Sequence, residues 1–197
     1  MKKGLILVAL AVTLMIGGGL TDDPEDSLSV GFETKTRTEQ EAGQIYTIPG
    51  FSAPTHTAAT NRGNIDAYVF IEVSVPVIKA DDVDLEVGEP VREDGYVPVM
   101  EFEPQKPWIL IEEEVRDGVL HQVFCYGELI PLHPGETTPN LFDTWSVVNC
   151  RVLNGMTGSM EWSTIASLCP ETKISVSSIQ TDIGQNLTPE SVWTMLK

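Results

Sequence analysis

Positive charge is what this sequence has least of. Lysine and arginine total 12 against 29 aspartates and glutamates, giving a formal charge of −17 at pH 7. A nucleic-acid binder needs cations to displace the counterions of a phosphate backbone, so this balance excludes that class, and anionic lipid repels the chain equally. Histidine and cysteine are scarce too, at three each. His56, His121 and His133 belong to no H-E-x-x-H pattern, and none lies three to five residues from another His or Cys in a metal arrangement. Cys125, Cys150 and Cys169 contain no C-x-x-C pair, which argues against a zinc ribbon or a dithiol redox motif. No G-x-S-x-G elbow, P-loop or G-x-G-x-x-G occurs. The residues name no catalytic group, no metal site and no cofactor, and the expectation is a protein that is not an enzyme.

Hydrophobic residues make up 42% of the 197, enough to build a core. The first apolar run is an address rather than a core element. Lys2 and Lys3 precede the uncharged stretch Gly4–Leu20, and Asp22, Asp23, Glu25 and Asp26 follow it. That order is a secretory signal, with Gly17 and Gly19 as small residues before cleavage near Leu20. The alternative is an uncleaved N-terminal anchor at the short limit of a membrane span. Either way the expected location is secreted or cell-surface, with membrane contact only through this segment before cleavage. No Cys follows the run, which excludes a lipoprotein anchor. In an oxidising compartment the three cysteines either lie buried on strands or form one disulfide with a thiol left over.

Downstream the pattern has period two. Leu28, Val30 and Phe32 alternate with Ser29, Gly31 and Glu33, predicting a strand that continues to Thr38. Ile45–Ile48 and Thr55–Thr60 are short strand candidates. Ala67–Val77 is the strongest, ended or moved to a sheet edge by Pro76. Asp81, Asp82, Asp84 and Glu86 read as a solvated acidic loop, because they lack the order of a calcium loop. Tyr96–Phe102 is expected as one strand. Trp108–Val115 and Val119–Tyr126 form a hairpin across Asp117-Gly118. His121 beside this turn is expected to face solvent, with a partnership to a carboxylate across the strands as the alternative. Glu112, Glu113 and Glu114 alternate faces and make no single cluster. Thr144–Leu153 and Lys173–Gln180 complete the strands, and Met160–Leu168 is ambiguous between strand and helix. Thr188 caps a final helix with Pro189 at its first position and Val192, Trp193 and Leu196 on one face. The sum is an all-β, antiparallel β-sandwich with a short C-terminal helix. The expected organisation is 1–20 signal or anchor, 21–43 an N-terminal segment, and 44–197 the sandwich.

Four strings carry a family resemblance. NRGNIDAYVFIEVSVP at Asn61–Pro76 resembles the N-T-G-x-x-D-A-Y-V-F-x-x-V-x-V-P segment of TasA/camelysin-related exported proteins, a group described as having SipW-dependent signal peptides. Tyr126-Gly127 with LIPLHPGETTPNLFD, then ISVSSIQTD at Ile174–Asp182, then TPESVWTMLK resemble further stretches of that group, in the same order. The resemblance implies a jelly roll secreted or displayed by a Gram-positive bacterium, and a fibre or biofilm-matrix subunit or accessory that self-associates. Leu28, Val30 and Phe32 are then candidates for a donor strand added to a neighbour's sheet. The alternatives are a camelysin-like metallopeptidase, for which these residues offer no metal motif, and a monomeric surface adhesin or ligand-binding module. The chain departs from the group after the apolar run, reading GGGLTDDPED in place of A-Y-F-[TN]-D. Independently of any family, Gly63 and Gly127 are expected at positive φ, and Asp66 is expected to bond the backbone of its own turn.

Overall fold

The computed structural model describes residues 11–14, 32–38, 52–85, 91–148, 150–152, 172–183 and 187–197. Among them the chain is mostly strand, with one short α-helix at the C-terminus. The candidates Ile45–Ile48 and Met160–Leu168, the donor positions Leu28 and Val30, and Cys169 lie outside the described residues.

The centre of the molecule is β4 (Ala67–Lys79), thirteen residues rich in Val, Ile and aromatic side chains. Val69, Ile71, Val73 and Val75 alternate into the core, each fully buried, as period two on a pleated strand requires. β4 pairs antiparallel with β12 (Lys173–Gln180) on one side and β9 (Val119–Tyr126) on the other. β8 (Trp108–Arg116) joins β9, and β1 (Ala11–Leu14) runs parallel to β12, giving the order β1-β12-β4-β9-β8. The β8–β9 turn is Asp117-Gly118, with φ of 53° and 75°. Two successive positive φ values define the hairpin turn whose twist matches its strands, so this expected hairpin is present. Residues Glu112 to Glu114 follow a bulge in β8.

A second sheet has the order β2-β3-β10-β7, from β2 (Phe32–Thr38), β3 (Ser52–Asn61), β10 (Thr144–Val147) and β7 (Met100–Phe102). One continuous core joins the two sheets. Ala59 of β3, Met100 of β7 and Trp145 of β10 pack in the same cluster as Val73 of β4, Phe124 of β9 and Ile174 of β12.

Three sequence expectations need correction. Pro76 neither ends β4 nor moves it to an edge. On the side where β12 pairs as far as Ser74, β6 (Tyr96–Pro98) takes over from Val77 to Lys79, while β9 runs along the other side to Pro76. The position that lacks an N–H coincides with the handover, while its carbonyl still accepts from Val99 N at 2.9 Å. The expected strand Tyr96–Phe102 is two strands, with β6 on the larger sheet and β7 on the smaller. Val99 forms the corner, donating to Pro76 and accepting from Val148 N at 3.1 Å. Likewise Thr144–Leu153 divides into β10 and β11 (Cys150–Val152), the latter pairing with β5 (Val83–Leu85). The acidic stretch before β5 begins with a single 3₁₀ turn, Ala80–Asp82, in which Asp81 and Asp82 are exposed.

The terminal helix α1 (Pro189–Leu196) starts as its sequence predicts. Thr188 Oγ1 accepts from Ser191 N at 3.3 Å, and Ser191 Oγ accepts from Thr188 N at 2.9 Å, a reciprocal cap that satisfies two N–H groups at the helix start. Val192 and Trp193 are buried against Phe70, Val123 and Cys125 on the outer face of the larger sheet. The Trp193 and Phe70 ring centroids lie 5.6 Å apart. α1 thus closes a small second core on the side of β4 away from the main one.

Candidate functional site

Two places concentrate polar side chains, and a third bears on assembly. The first is a junction between the 61–67 turn and the loop 132–136. Asn61, at the end of β3, is fully buried. Its Nδ2 donates to the carbonyls of Ile65 and Leu132, both at 2.8 Å, and its Oδ1 accepts from Gly63 N at 2.9 Å. Its backbone N donates to Glu136 and its backbone O accepts from Gly135 N. One amide side chain therefore ties the 61–67 turn to the loop 132–136. This corrects the expectation for Asp66, whose Oδ1 instead pairs with His133 Nδ1 at 2.8 Å. Gly63 is held by the Asn61 amide, and the described glycines at positive φ are Gly95, Gly118, Gly127 and Gly135; of the two expected, only Gly127 is among them. His133 also donates its backbone N–H to Glu136. The hydrogen bond His133 donates to Asp66, and then the charges of Asp66 and Glu136, raise the His133 pKa above the ordinary histidine value.

The second place is a groove of about 480 Å³ between α1 and the outer face of β12, β4, β9 and β8. Strand alternation builds it. The residues that flank the inward-facing valines of β4 and β12 are Glu72, Ser74, Ser175 and Ser177, and register aligns Ser175 with Glu72, and Ser74 with His121. His121 Nδ1 lies 2.9 Å from Glu72 Oε1 and 3.2 Å from Ser74 Oγ. The expectation that His121 faces solvent alone is thus corrected in favour of a carboxylate partner across strands. On β8, Glu112 and Glu114 share this face. Lys197 Nζ bonds both oxygens of Glu112 at 2.7 and 2.6 Å, and Arg116 pairs with Glu114 at 3.2 Å. Glu113 leaves the groove and pairs with Arg92 and Gln122, as alternation predicts. Val123, Trp193 and Leu196 supply apolar wall. Trp193 is 8% exposed, and its indole Nε1 is buried without a hydrogen-bond partner. Sequence reading missed this grouping, although hairpin register from Asp117-Gly118 was enough to set Glu114 opposite His121.

The third place is the N-terminal strand. β2 lies at the end of the smaller sheet, paired with β3 from Phe32↔Asn61 to Thr38↔Thr55. Of the donor-strand candidates, Phe32 therefore opens β2 opposite Asn61, and Leu28 and Val30 fall outside the described residues. At one edge of the larger sheet, Ala11–Leu14 of the apolar run lies against Lys173–Val176.

Cys125 is a free, buried thiol beneath α1, which agrees with the buried-strand reading for that residue. Burial pushes its pKa up to about 11, so it is no nucleophile at neutral pH. No group of three or more His, Cys, Asp or Glu suited to a metal ion occurs among the described residues, and none of their helices is long and apolar enough to cross a membrane. Compared with protein families, curated proteins and solved structures, the chain matches none.

Proposed function

We propose that this chain is an exported, jelly-roll-like structural protein of the TasA/camelysin-related kind that self-associates by strand addition at the cell surface or in an extracellular matrix. One observation carries the reading. The N-terminal strand β2 occupies a sheet edge and precedes the intervening residues 39–51 before β3, so a neighbour's copy can take the same edge without unfolding the core. Edge strands present unpaired backbone groups, and pairing them is the common route to assembly. Removal of the apolar N-terminal segment, as the export signal requires, also takes β1 from β12 and opens a second edge.

The energetics fit a strand that exchanges. Burying Leu28, Val30 and Phe32 in a neighbour contributes on the order of 5 kcal/mol before ordering costs, at roughly 1.5–3 kcal/mol per large apolar side chain. That is too little to hold a fibre without the backbone ladder, and small enough for a monomer to release. The test is negative-stain microscopy and sedimentation of the mature chain, its start defined by mass spectrometry between Gly18 and Asp23. Deleting residues 20–38 is expected to abolish assembly and leave a folded domain, and Val30→Asp to weaken assembly by burying a charge. Fibres unchanged by the deletion, or an intact protein that stays monomeric at high concentration, refute the reading.

A further inference from the structure

We propose that the groove between α1 and the outer sheet face is a binding site for a neutral oligosaccharide. This inference is independent of the assembly reading. The groove is polar but nearly charge-balanced within itself. Glu72 faces His121, Glu112 faces Lys197, and Glu114 faces Arg116. An added cation competes with partners already in place, and an anion meets three carboxylates. Each carboxylate nonetheless has about four acceptor positions, so most of that capacity is unspent. The hydroxyls of Ser175 and Ser177 on β12 add groups that both donate and accept.

A ligand that answers this surface carries many hydroxyls, no net charge and an apolar ring face. Carbohydrates do so. Vicinal hydroxyls pair with carboxylates, and the C–H face of a pyranose packs on Val123, Leu196 and the edge of Trp193. The volume of about 480 Å³ falls within the roughly 300–1,000 Å³ usual for small-ligand clefts. A second observation points the same way. Trp193 lines the groove, and its indole N–H is a buried donor that the protein leaves unused, whereas buried donors are nearly always paired.

The experiment titrates the full chain with cellotetraose and with the tetramer of N-acetylglucosamine, using tetralysine as a cationic comparison, by calorimetry and by amide NMR shifts. Saturable binding of one tetrasaccharide is expected, with shifts confined to β12, β4, β9, β8 and α1. Glu72→Gln and Ser175→Trp should each weaken it by at least about tenfold, the loss of one charge-assisted hydrogen bond or of the space itself. Glu113→Gln, on the other face of β8, should leave it unchanged. Failure of both saccharides to bind, binding that ignores both groove variants, or preferential binding of tetralysine overturns the proposal.

Discussion

Replacing Asn61 with alanine tests the claim that one buried amide ties β3 to the 132–136 loop. Three side-chain hydrogen bonds disappear, to Ile65 O, Leu132 O and from Gly63 N. The Leu132 carbonyl keeps the Ala67 N–H as a second partner, at 3.2 Å, which softens the loss there. The other two contacts are partly buried, so water can replace some of what is removed. At a net 0.5–1.5 kcal/mol per bond, and more for a group left dry, the sum is about 3 kcal/mol. For a domain of this size that lowers Tm by about 6–12 °C. Urea unfolding followed by circular dichroism reads it as a lower midpoint with unchanged slope. Asn61→Asp gives an independent readout. Its carboxylate faces two carbonyl oxygens where an NH₂ donated, so at pH 7 it should cost more than alanine. The introduced carboxyl has its native pKa raised, so its penalty is smallest at low pH and grows as pH rises above the ordinary aspartate value of about 4. An alanine variant that loses less than about 1 kcal/mol, or an aspartate variant no worse than alanine at pH 7, refutes the hub.

Other outcomes follow from the same structure. With Cys150 and Cys169 changed to serine, Cys125 should resist a thiol reagent at pH 8 in the native state and react on unfolding. Its folded pKa of about 11 lies above the usual 9, so its contribution to stability is complete below pH 9 and declines as pH climbs through 11, seen as a falling Tm. Gly127→Ala should destabilise by about 1–2 kcal/mol, because left-handed φ is costly for alanine and the new methyl meets the Ile130 side chain. Gly118→Ala has open space around it and should show only the backbone part, a ranking that thermal melts check directly. The His133 imidazolium, titrated by NMR, should give up its charge at higher pH than an ordinary histidine, and Asp66→Asn should move that midpoint down. An unshifted midpoint would mean that the Asp66 contact is not populated in solution.

The local elements were readable because their causes are local. Asp117-Gly118 dictates a hairpin by its own φ preferences, Lys173–Gln180 alternates small polar residues with Ile174 and Val176, and Thr188-Pro189 opens a helix whatever lies nearby. What the sequence could not express is the choice of partner. Nothing in Tyr96–Phe102 or Thr144–Leu153 marks Val99 or Val148 as a corner, since a strand that changes sheets keeps its alternation and differs only in which distant backbone it meets. The same holds for Pro76, which looks like a strand breaker alone and is harmless where β12 gives way to β6. His121 meets Glu72, and Lys197 meets Glu112, across separations of 49 and 85 residues. Asn61, a turn residue by composition, became a buried hub only when the loop at 132–136 closed over it. Short-range sterics and hydrogen bonding decided the elements, and the register and packing of chain-distant strands decided which polar side chains share a groove.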